Sequence, residues 1–376
     1  MRMTRARIAG TMAVLATCLL VACGDSTSDD SQSASTNSSS SSSIPPKVYD
    51  GVEGGTLNIY STTGGKVASA KEDSIYKTFE DNSGMRVQED FTNSDTAKFF
   101  AAMEAGQGPW DLVELANPAD WERAEKKGYL AKLDPSVVPL DQLEPGNHDD
   151  YGFRFERFGI VLAWNTDKWP EDGKHPTDMV DLFNTKDFPG KRCMFNYPQY
   201  GATLEAALLA DGVPKDELYP LDVDRALRKL DTIKDDIVWW SSGDQAQRLF
   251  ETGECDIGVI WSARVYDAAK NGKPLAATWK NALYTDTVYA IPKTAPNPKA
   301  AQAYLATWLL DKQGQQAFVK QIPYPTPIKG MTYPPEVSKW MPVGKNLEVA
   351  IQEDDTGYYP AHIDELTETF TQWLGS

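Results

Sequence analysis

The chain has 376 residues, of which 41% are hydrophobic and 24% are charged, a composition typical of a soluble globular protein with one large or two moderate domains. Its formal net charge at pH 7 is −17. This excess of acids argues against nucleic acid as a partner and against general adhesion to anionic lipid, while it suits a small cationic ligand. The solubility of a surface protein would explain the same charge.

The N-terminus has the pattern of a secretory signal. Three arginines precede the uncharged run Ile8–Leu20, which is too short for an ordinary membrane span. The sequence Leu-Val-Ala-Cys then ends at Cys23 and resembles the bacterial lipoprotein signal, whose cysteine becomes lipidated. We therefore predict that residues 1–22 are a signal peptide and that a lipid on Cys23 anchors the protein to a membrane.

The segment after Cys23 is predicted to be a flexible tether. Residues 25–43 (DSTSDDSQSASTNSSSSSS) contain almost nothing that can be buried, so ordering them would not be offset by packing. We assign residues 23–53 to the lipidated cysteine and the disordered tether. The folded part is expected to start near Gly54.

Two cysteines remain in the predicted mature protein besides Cys23. Cys193 and Cys255 each precede a strand-like run, and an exported protein folds in an oxidising compartment. A disulfide between them and two buried free thiols are both compatible with the sequence, since the sequence does not give the separation of their Cα atoms.

From Gly54 onward, strand and helix patterns alternate. Residues 56–60 and 85–91 predict strands, and Ser94 and Asn117 are expected to cap the helices that follow. Residues 151–164 form an extended stretch without a helix signal, which we interpret as a crossing between two lobes. The pattern predicts an α/β fold in which each lobe has a mainly parallel sheet flanked by helices.

The alternation also predicts where the lobes begin and end. We assign residues 54–157 and 284–325 to the first lobe, and residues 158–283 and 326–376 to the second. A buried strand at 255–261 ends next to Arg264. Because ligands bind at the carboxyl ends of strands in open α/β sheets, this end is expected to form one edge of a cleft.

Several segments in a fixed order resemble a known family. They are the hydroxyl-rich turn after the first strand, GxxPWDLV, ALLADGV…LDVDRALRKLDTIK, GECDIGVIW, AIPKTAPN and IPYPTP. Together they resemble the substrate-binding proteins of ABC importers, in the branch typified by spermidine/putrescine-binding proteins. The resemblance implies a periplasmic-binding-protein-like fold, a hinge of crossing strands, and a cleft that closes on one small molecule for delivery to a permease and its ATPase.

The resemblance also implies positions for the ligand contacts. Trp240 and Trp261 fall where a cation or an alkyl chain would stack, and Asp286 lies near the family's cleft acid. Arg264 is an addition, since a guanidinium is the natural bidentate partner of a carboxylate. The predicted ligand-binding residues are Ser61, Thr62, Thr63, Asn117, Tyr200, Trp240, Trp261, Arg264 and Asp286.

Structural roles would explain the same side chains. The two tryptophans are also compatible with core packing, and Asp286 with a cap on backbone NH groups in the hinge. Arg264 is compatible with an ion pair to Asp267 or to another acid on a helix face.

The expected ligand is an amine. We predict a polyamine such as putrescine or spermidine, and an amino-carboxylate such as 4-aminobutyrate is the alternative, held by Arg264 at one end and Asp286 at the other. An adhesion or signalling lipoprotein that keeps the binding fold is a further alternative.

An enzyme is not expected, because the sequence contains no G-x-S-x-G elbow, phosphate loop or HExxH motif. No cofactor and no metal are predicted. We expect a monomer outside the cytoplasm; the sequence favours the outer leaflet of a Gram-positive membrane, and a periplasm is the alternative.

Overall fold

The computed structural model describes residues 44–52, 54–92, 96–353 and 357–376. The predicted signal peptide, the predicted lipidation site at Cys23, residues 25–43 of the predicted tether and the predicted cap Ser94 lie outside these ranges. None of the helices within the described ranges is both long and apolar enough to cross a membrane.

Within the described residues, ten strands form one mixed sheet. They are β1 (Thr56–Ser61), β2 (Arg86–Phe91), β3 (Leu112–Leu115), β4 (Leu130–Ala131), β5 (Gly152–Asn165), β6 (Arg192–Phe195), β7 (Ile237–Trp240), β8 (Ile257–Trp261), β9 (Leu275–Pro292) and β10 (Ile351–Gln352). The main strand order is β2-β1-β3-β9-β5-β8-β6-β7, and β4 and β10 pair with β9.

The direction of pairing divides the sheet. β1, β2 and β3 are parallel to one another, as are β6, β7 and β8. The long strands β5 and β9 are antiparallel to each other and to their outer neighbours, so they join the two parallel sets. We call β1–β3 with their helices the first half, and β6–β8 with theirs the second half.

Helices flank both halves. They are α1 (Lys66–Lys71), which continues through a π-helical segment (Glu72–Tyr76) into α2 (Lys77–Ser83), α3 (Ala97–Glu104), α4 (Pro118–Lys126), α5 (Thr203–Ala210), α6 (Val223–Asp231), α7 (Gly243–Glu251), α8 (Ser262–Lys270), α9 (Pro298–Leu310), α10 (Lys312–Gln321), α11 (Pro335–Ser338), α12 (Lys345–Val349) and α13 (Tyr358–Leu374). Short 3-10 helices lie at Pro46–Tyr49, Leu140–Gln142, Met179–Phe183, Lys215–Glu217 and Lys234–Asp236.

Local sequence explains where two of these helices begin. The Asn117 side chain accepts a hydrogen bond from the Asp120 amide at 2.7 Å, and Pro118 occupies the first turn of α4. At the start of α7, the Ser242 side chain accepts a hydrogen bond from the Gln245 backbone amide at 3.3 Å. Both caps lie directly after strand ends, so they fix where the chain turns at the carboxyl edge of the sheet.

Separate apolar cores lie on the two halves. In the first half, α9 packs Tyr304 and Trp308 against Phe155 and Tyr289 of the crossing strands. In the second half, residues of β5 and β8 pack with α5, α6, α7 and α13. The predicted fold class, a periplasmic-binding-protein-like α/β fold, is confirmed; the residue boundaries proposed for the two lobes stay a prediction.

The folded part begins earlier than expected. Residues 44–52 fall within the predicted disordered tether, but Ile44, Val48, Tyr49 and Val52 are buried in the core of the first half. The Tyr49 hydroxyl also forms a 2.8 Å hydrogen bond with Thr307. The short apolar pattern before Gly54 therefore packs on α9, because its side chains remove more apolar surface from water than the serine-rich residues before it.

Cys193 and Cys255 form a disulfide at the start of β6 and just before β8. Their Cα atoms lie 5.7 Å apart, and both residues are fully buried. β6 pairs with β8 in parallel, with Cys193 opposite Gly258. An added Cβ at Gly258 would lie 2.3 Å from the Cys193 carbonyl oxygen, so only glycine permits this close approach.

Removal of the disulfide is expected to destabilise the second half. The bridge closes a sequence separation of 62 residues, and on the chain-entropy model a loop of this size contributes roughly 4 kcal/mol to the free energy of unfolding. Urea denaturation of the C193A/C255A double variant, compared with wild type, measures this loss. An unchanged unfolding midpoint would contradict the assignment.

Candidate ligand-binding site

The carboxyl ends of strands from both halves converge on one cleft, which consists of two adjoining cavities. The inner cavity is lined by Thr62, Thr63, Ala116, Glu156, Phe158, Tyr200, Trp261, Thr287 and Tyr324. The outer cavity, of about 170 Å³, shares four of these residues and adds Gly64, Gly65, Val67, Phe91, Ser242, Gly243, Asp244 and Arg264. Strand-end residues of β1 and β8 thus meet across the same space, as the rule for open α/β sheets requires.

A buried ion pair lies beside the inner end of this cleft. The Lys71 ammonium of α1 donates to the Glu114 carboxylate of β3, and both side chains are fully buried. Glu114 also accepts from the Ser61 hydroxyl at 2.7 Å and from the Thr62 amide at 3.1 Å. Burial alone would lower the pKa of Lys71, but the Glu114 and Glu156 carboxylates outweigh it, and the pKa is raised.

Glu156 of β5 brings a second acid to the inner cavity. Its side chain is 1% exposed, and its Oε1 atom has no hydrogen-bond partner among the residues that the structure describes. The nearest ion-pair partner is Lys71, whose Nζ atom lies 3.8 Å from Oε1. Burial raises the pKa of Glu156 to about 8; Lys71 opposes this shift, and the negative charges of Glu114 and Glu89 add to it.

Tyr200 and Trp261 connect the walls of the cleft. The Trp261 indole NH donates to the Tyr200 carbonyl oxygen at 2.9 Å, and the Tyr200 hydroxyl accepts from the Asn117 amide group. Asn117 follows β3 in the first half, whereas Tyr200 follows β6 in the second. At the outer mouth, an ion pair from Lys66 of α1 to Asp267 of α8 also joins the halves.

Arg264 supplies a cation to the outer cavity. Its side chain is 11% exposed, and its Nη1 atom donates to Asp244 at 2.7 Å, while the Asp244 side chain is 56% exposed. An added Cβ at Gly243 would lie 2.6 Å from the Arg264 Nε atom, so the absence of a side chain at the start of α7 makes room for the guanidinium. The partner of Arg264 is therefore Asp244, a solvent-exposed acid on α7, rather than Asp267.

Most of the residues predicted to bind a ligand come together. Thr62, Thr63, Tyr200 and Trp261 line the inner cavity, and Arg264 lines the outer one. Asn117 instead lines a neighbouring cavity of about 360 Å³ that also contains Tyr200. Their contacts with a ligand stay a prediction.

Two predicted residues have structural environments. Trp240 is fully buried, stacks on Phe195 with ring centres 4.4 Å apart, and donates its indole NH to the Val259 carbonyl oxygen at 3.2 Å. Ser61 is also fully buried, and its hydroxyl donates to Glu114. We therefore correct both assignments: Trp240 is a core aromatic of the second half, and Ser61 supports the base of the cleft.

Asp286 does not have the role expected of it. Its side chain is fully buried, and its two oxygens accept from Arg157 and Arg154, each at 2.7 Å. Because both oxygens are occupied by guanidinium groups of the neighbouring strand, Asp286 is not free to bind a ligand amine. It joins β5 to β9, and the expectation that it grips a ligand is corrected.

A β-bulge in β5 explains why the sequence pattern does not identify Glu156 as a residue that lines the cleft. The register between β5 and β9 shifts between Arg154 and Glu156, which pair with Val288 and Thr287 respectively. Strict alternation would put Arg154 and Arg157 on opposite faces of β5, yet both contact Asp286. The only available signal was a single acid within FRFERF, in a segment already interpreted as a lobe crossing.

Comparison with known proteins gives the family. The family model for bacterial extracellular solute-binding proteins matches residues 74–343. The γ-aminobutyric acid-binding protein of Pseudomonas aeruginosa is 32% identical over 82% of this chain and 88% of its own length. The chain belongs to the bacterial extracellular solute-binding protein family.

Two further similar proteins are named for the ligands that they bind. The spermidine/putrescine-binding periplasmic protein 1 of Haemophilus influenzae is 25% identical over 68% of this chain and 71% of its own length. The protein in the solved structure of the Atu4243–GABA receptor shares 32% sequence identity with this chain. The two structures match with a TM-score of 0.74, covering 85% of this chain and 97% of that one. These relatives are solute-binding proteins and not enzymes, which supports a non-enzymatic role.

Substitution of Asp286 separates its observed role from the one first expected. D286A would leave two guanidinium groups without an acid beside a fully buried position, so we expect it to lower the free energy of unfolding by roughly 3 kcal/mol. The control is D211A, which removes the partner of Arg225 at the surface and should change stability by less than about 1 kcal/mol. Wild-type stability combined with lost ligand binding would contradict the structural role.

Proposed function

We propose that the protein is the solute-binding component of an ABC importer, which captures a small amino-carboxylate such as 4-aminobutyrate and delivers it to a membrane permease and its ATPase. Two relatives are named for γ-aminobutyric acid, and their similarity covers most of this chain. This ligand combines the amine expected from the sequence with a carboxylate that the expected polyamine lacks.

Arg264 is the observation that carries this proposal. Its guanidinium lines the outer cavity, and its exposed partner Asp244 is an acid that water can solvate when it is displaced. A ligand carboxylate could take two parallel NH donors from a guanidinium, which is a stronger arrangement than a single charged hydrogen bond. The same guanidinium would repel the second ammonium group of a diamine.

The contacts between the two walls of the cleft suggest how the permease would recognise the ligand-bound protein. Asn117 with Tyr200, and Lys66 with Asp267, are pairs that join the first half to the second. A ligand that contacts both walls favours a closed arrangement through its differential affinity, and the closed form is what a permease would recognise.

A diamine such as putrescine is the second candidate. The buried Glu156 carboxyl group in the inner cavity would accept an ammonium group from either class of ligand. The spermidine/putrescine-binding relative supports this alternative. Trp240 and Asp286, two of the residues expected to bind the amine of either ligand class, are committed to other contacts.

The Cys23 signal motif supports a lipid anchor. In this proposal residues 1–22 are removed and the acylated cysteine holds the protein at the outer side of the membrane, so the binding fold reaches the permease on a serine-rich tether.

The anchor is tested by the C23A variant, expressed in a bacterium that processes lipoproteins. We expect wild type to sediment with membranes and C23A to stay in the soluble fraction, because the acyl chains would be missing. The Cys18 residue within the signal provides the matched variant, C18A, which should still sediment. Equal distribution of wild type and C23A would contradict anchoring at Cys23.

Removal of Arg264 tests the ligand class. Truncating one partner of a desolvated charge pair costs roughly 2–4 kcal/mol, so R264A is expected to bind 4-aminobutyrate roughly 30- to 1,000-fold more weakly by isothermal titration calorimetry. R264K should recover only part of the affinity, since an ammonium lacks the planar fork. Affinity for putrescine should not fall.

The control for this experiment is R225A, which breaks an Arg–Asp pair between α6 and the end of α5, outside the cleft. Its affinity for 4-aminobutyrate should match wild type. If R264A bound 4-aminobutyrate as tightly as wild type does, Arg264 would not be a ligand residue. Binding of wild type to putrescine alone would favour the second candidate.

A further inference from the structure

Within the described residues, two buried polar atoms without hydrogen-bond partners belong to residues that line the inner cavity. Glu156 Oε1 and Thr62 Oγ1 are both buried, and neither has a hydrogen-bond partner among the described residues. Both residues line the inner cavity. A buried carboxyl oxygen without a partner costs free energy comparable to a lost hydrogen bond, and such groups are rare unless a ligand or ion satisfies them.

The charges around Glu156 do not balance. The Lys71 ammonium group lies beside Glu156, yet it is closer to Glu114. Glu89 is a third acid whose charge acts on Glu156, and it accepts a hydrogen bond from the Tyr76 hydroxyl at 2.7 Å. Tyr289 and Tyr324 are the other titratable groups influenced by Glu156, and burial raises the pKa of each phenol, so both are neutral. Among the residues that the structure describes, three carboxyl groups therefore share the Lys71 ammonium group, and the cluster is short of positive charge.

We propose that Glu156 is the specificity-determining residue that binds the ammonium group of the ligand, and that this ammonium replaces a proton on the Glu156 carboxyl group. The inference rests on the proposed function and names the inner half of the same site. On binding, the carboxyl O–H bond breaks and its proton leaves to the buffer, while the ligand keeps its three N–H bonds. The Thr62 hydroxyl oxygen can then accept a hydrogen bond from one of these N–H groups.

The direction of the pH dependence follows from this exchange. With a pKa of about 8 in the ligand-free protein, Glu156 holds a proton at pH 7. A bound ammonium favours the carboxylate and lowers that pKa, so binding releases a proton and becomes tighter as the pH rises toward 8. Between pH 6 and pH 8 the affinity should increase roughly 10- to 50-fold, and above pH 8 it should level off.

The test measures proton release as well as affinity. Wild type is titrated with 4-aminobutyrate at pH 7 in phosphate and in Tris, whose ionisation enthalpies differ, and the difference in binding heat gives the number of protons released. We expect nearly one proton per ligand for wild type and none for E156Q. The variant should also lose affinity by at least tenfold, with no increase between pH 6 and pH 8.

Two controls distinguish recognition from folding. E205Q makes the same change at a fully buried acid that contacts Tyr219 and Tyr359 in the second half, and it should bind and release a proton like wild type. Butanoate, which lacks the amine, should bind wild type weakly and without proton release. E156Q should discriminate less between 4-aminobutyrate and butanoate than wild type does.

Putrescine as a second probe separates this inference from the proposed function. If wild type binds putrescine but not 4-aminobutyrate, and E156Q abolishes the proton release, then the amino-carboxylate proposal fails while the role of Glu156 stands. If E156Q binds like wild type, if neither probe causes proton release, or if neither probe binds wild type, the role of Glu156 is overturned.

Discussion

The cleft depends on the buried contact between Lys71 and Glu114. This pair lies where α1, β3 and the turn after β1 meet, and the same carboxylate accepts hydrogen bonds from Ser61, Thr62 and Tyr289. Taking an ammonium and a carboxylate out of water costs about as much as their attraction returns, so the pair itself adds little to stability. Its effect is geometric: it fixes the turn that carries Thr62 and Thr63, and it occupies the lysine that would otherwise neutralise Glu156.

The two ends of the cleft have opposite chemistry as a consequence. At the inner end, Glu156 is desolvated and only partly compensated, which favours a cation. At the outer end, Arg264 is held by an exposed acid, which favours an exchangeable anion. Phe158, Trp261 and Tyr324 lie along the walls between them and provide apolar surface for a short methylene chain. A flexible amino-carboxylate matches this order of charges.

The sequence predicted the architecture well because the architecture depends on local signals. Strand and helix alternation, the cap at Asn117, and the extended run at 151–164 all depend on neighbouring residues. They led to the correct fold class, in which the turns after β1, β6 and β8 line one cleft. Thr62, Thr63, Tyr200, Trp261 and Arg264 lie at the cleft for this reason.

The roles of the acids and the tryptophans could not be predicted, because they depend on information that the local sequence does not contain. Asp286 and Glu156 occupy adjacent positions across the β5–β9 pairing, and a single bulge decides which of them pairs with the arginines and which lines the cavity. Trp240 and Trp261 end neighbouring strand patterns, but only Trp261 leaves the core, because Trp240 is covered by Phe195 and α7. Such choices depend on register and on long-range packing.

The most direct test of this account is a crystal structure of the protein with 4-aminobutyrate. The account predicts the ligand nitrogen within hydrogen-bonding distance of Glu156 Oε1 and the ligand carboxylate on the Arg264 guanidinium, with Asp244 displaced. A ligand bound in the reverse orientation, or bound away from the Glu156 carboxyl group, would contradict it.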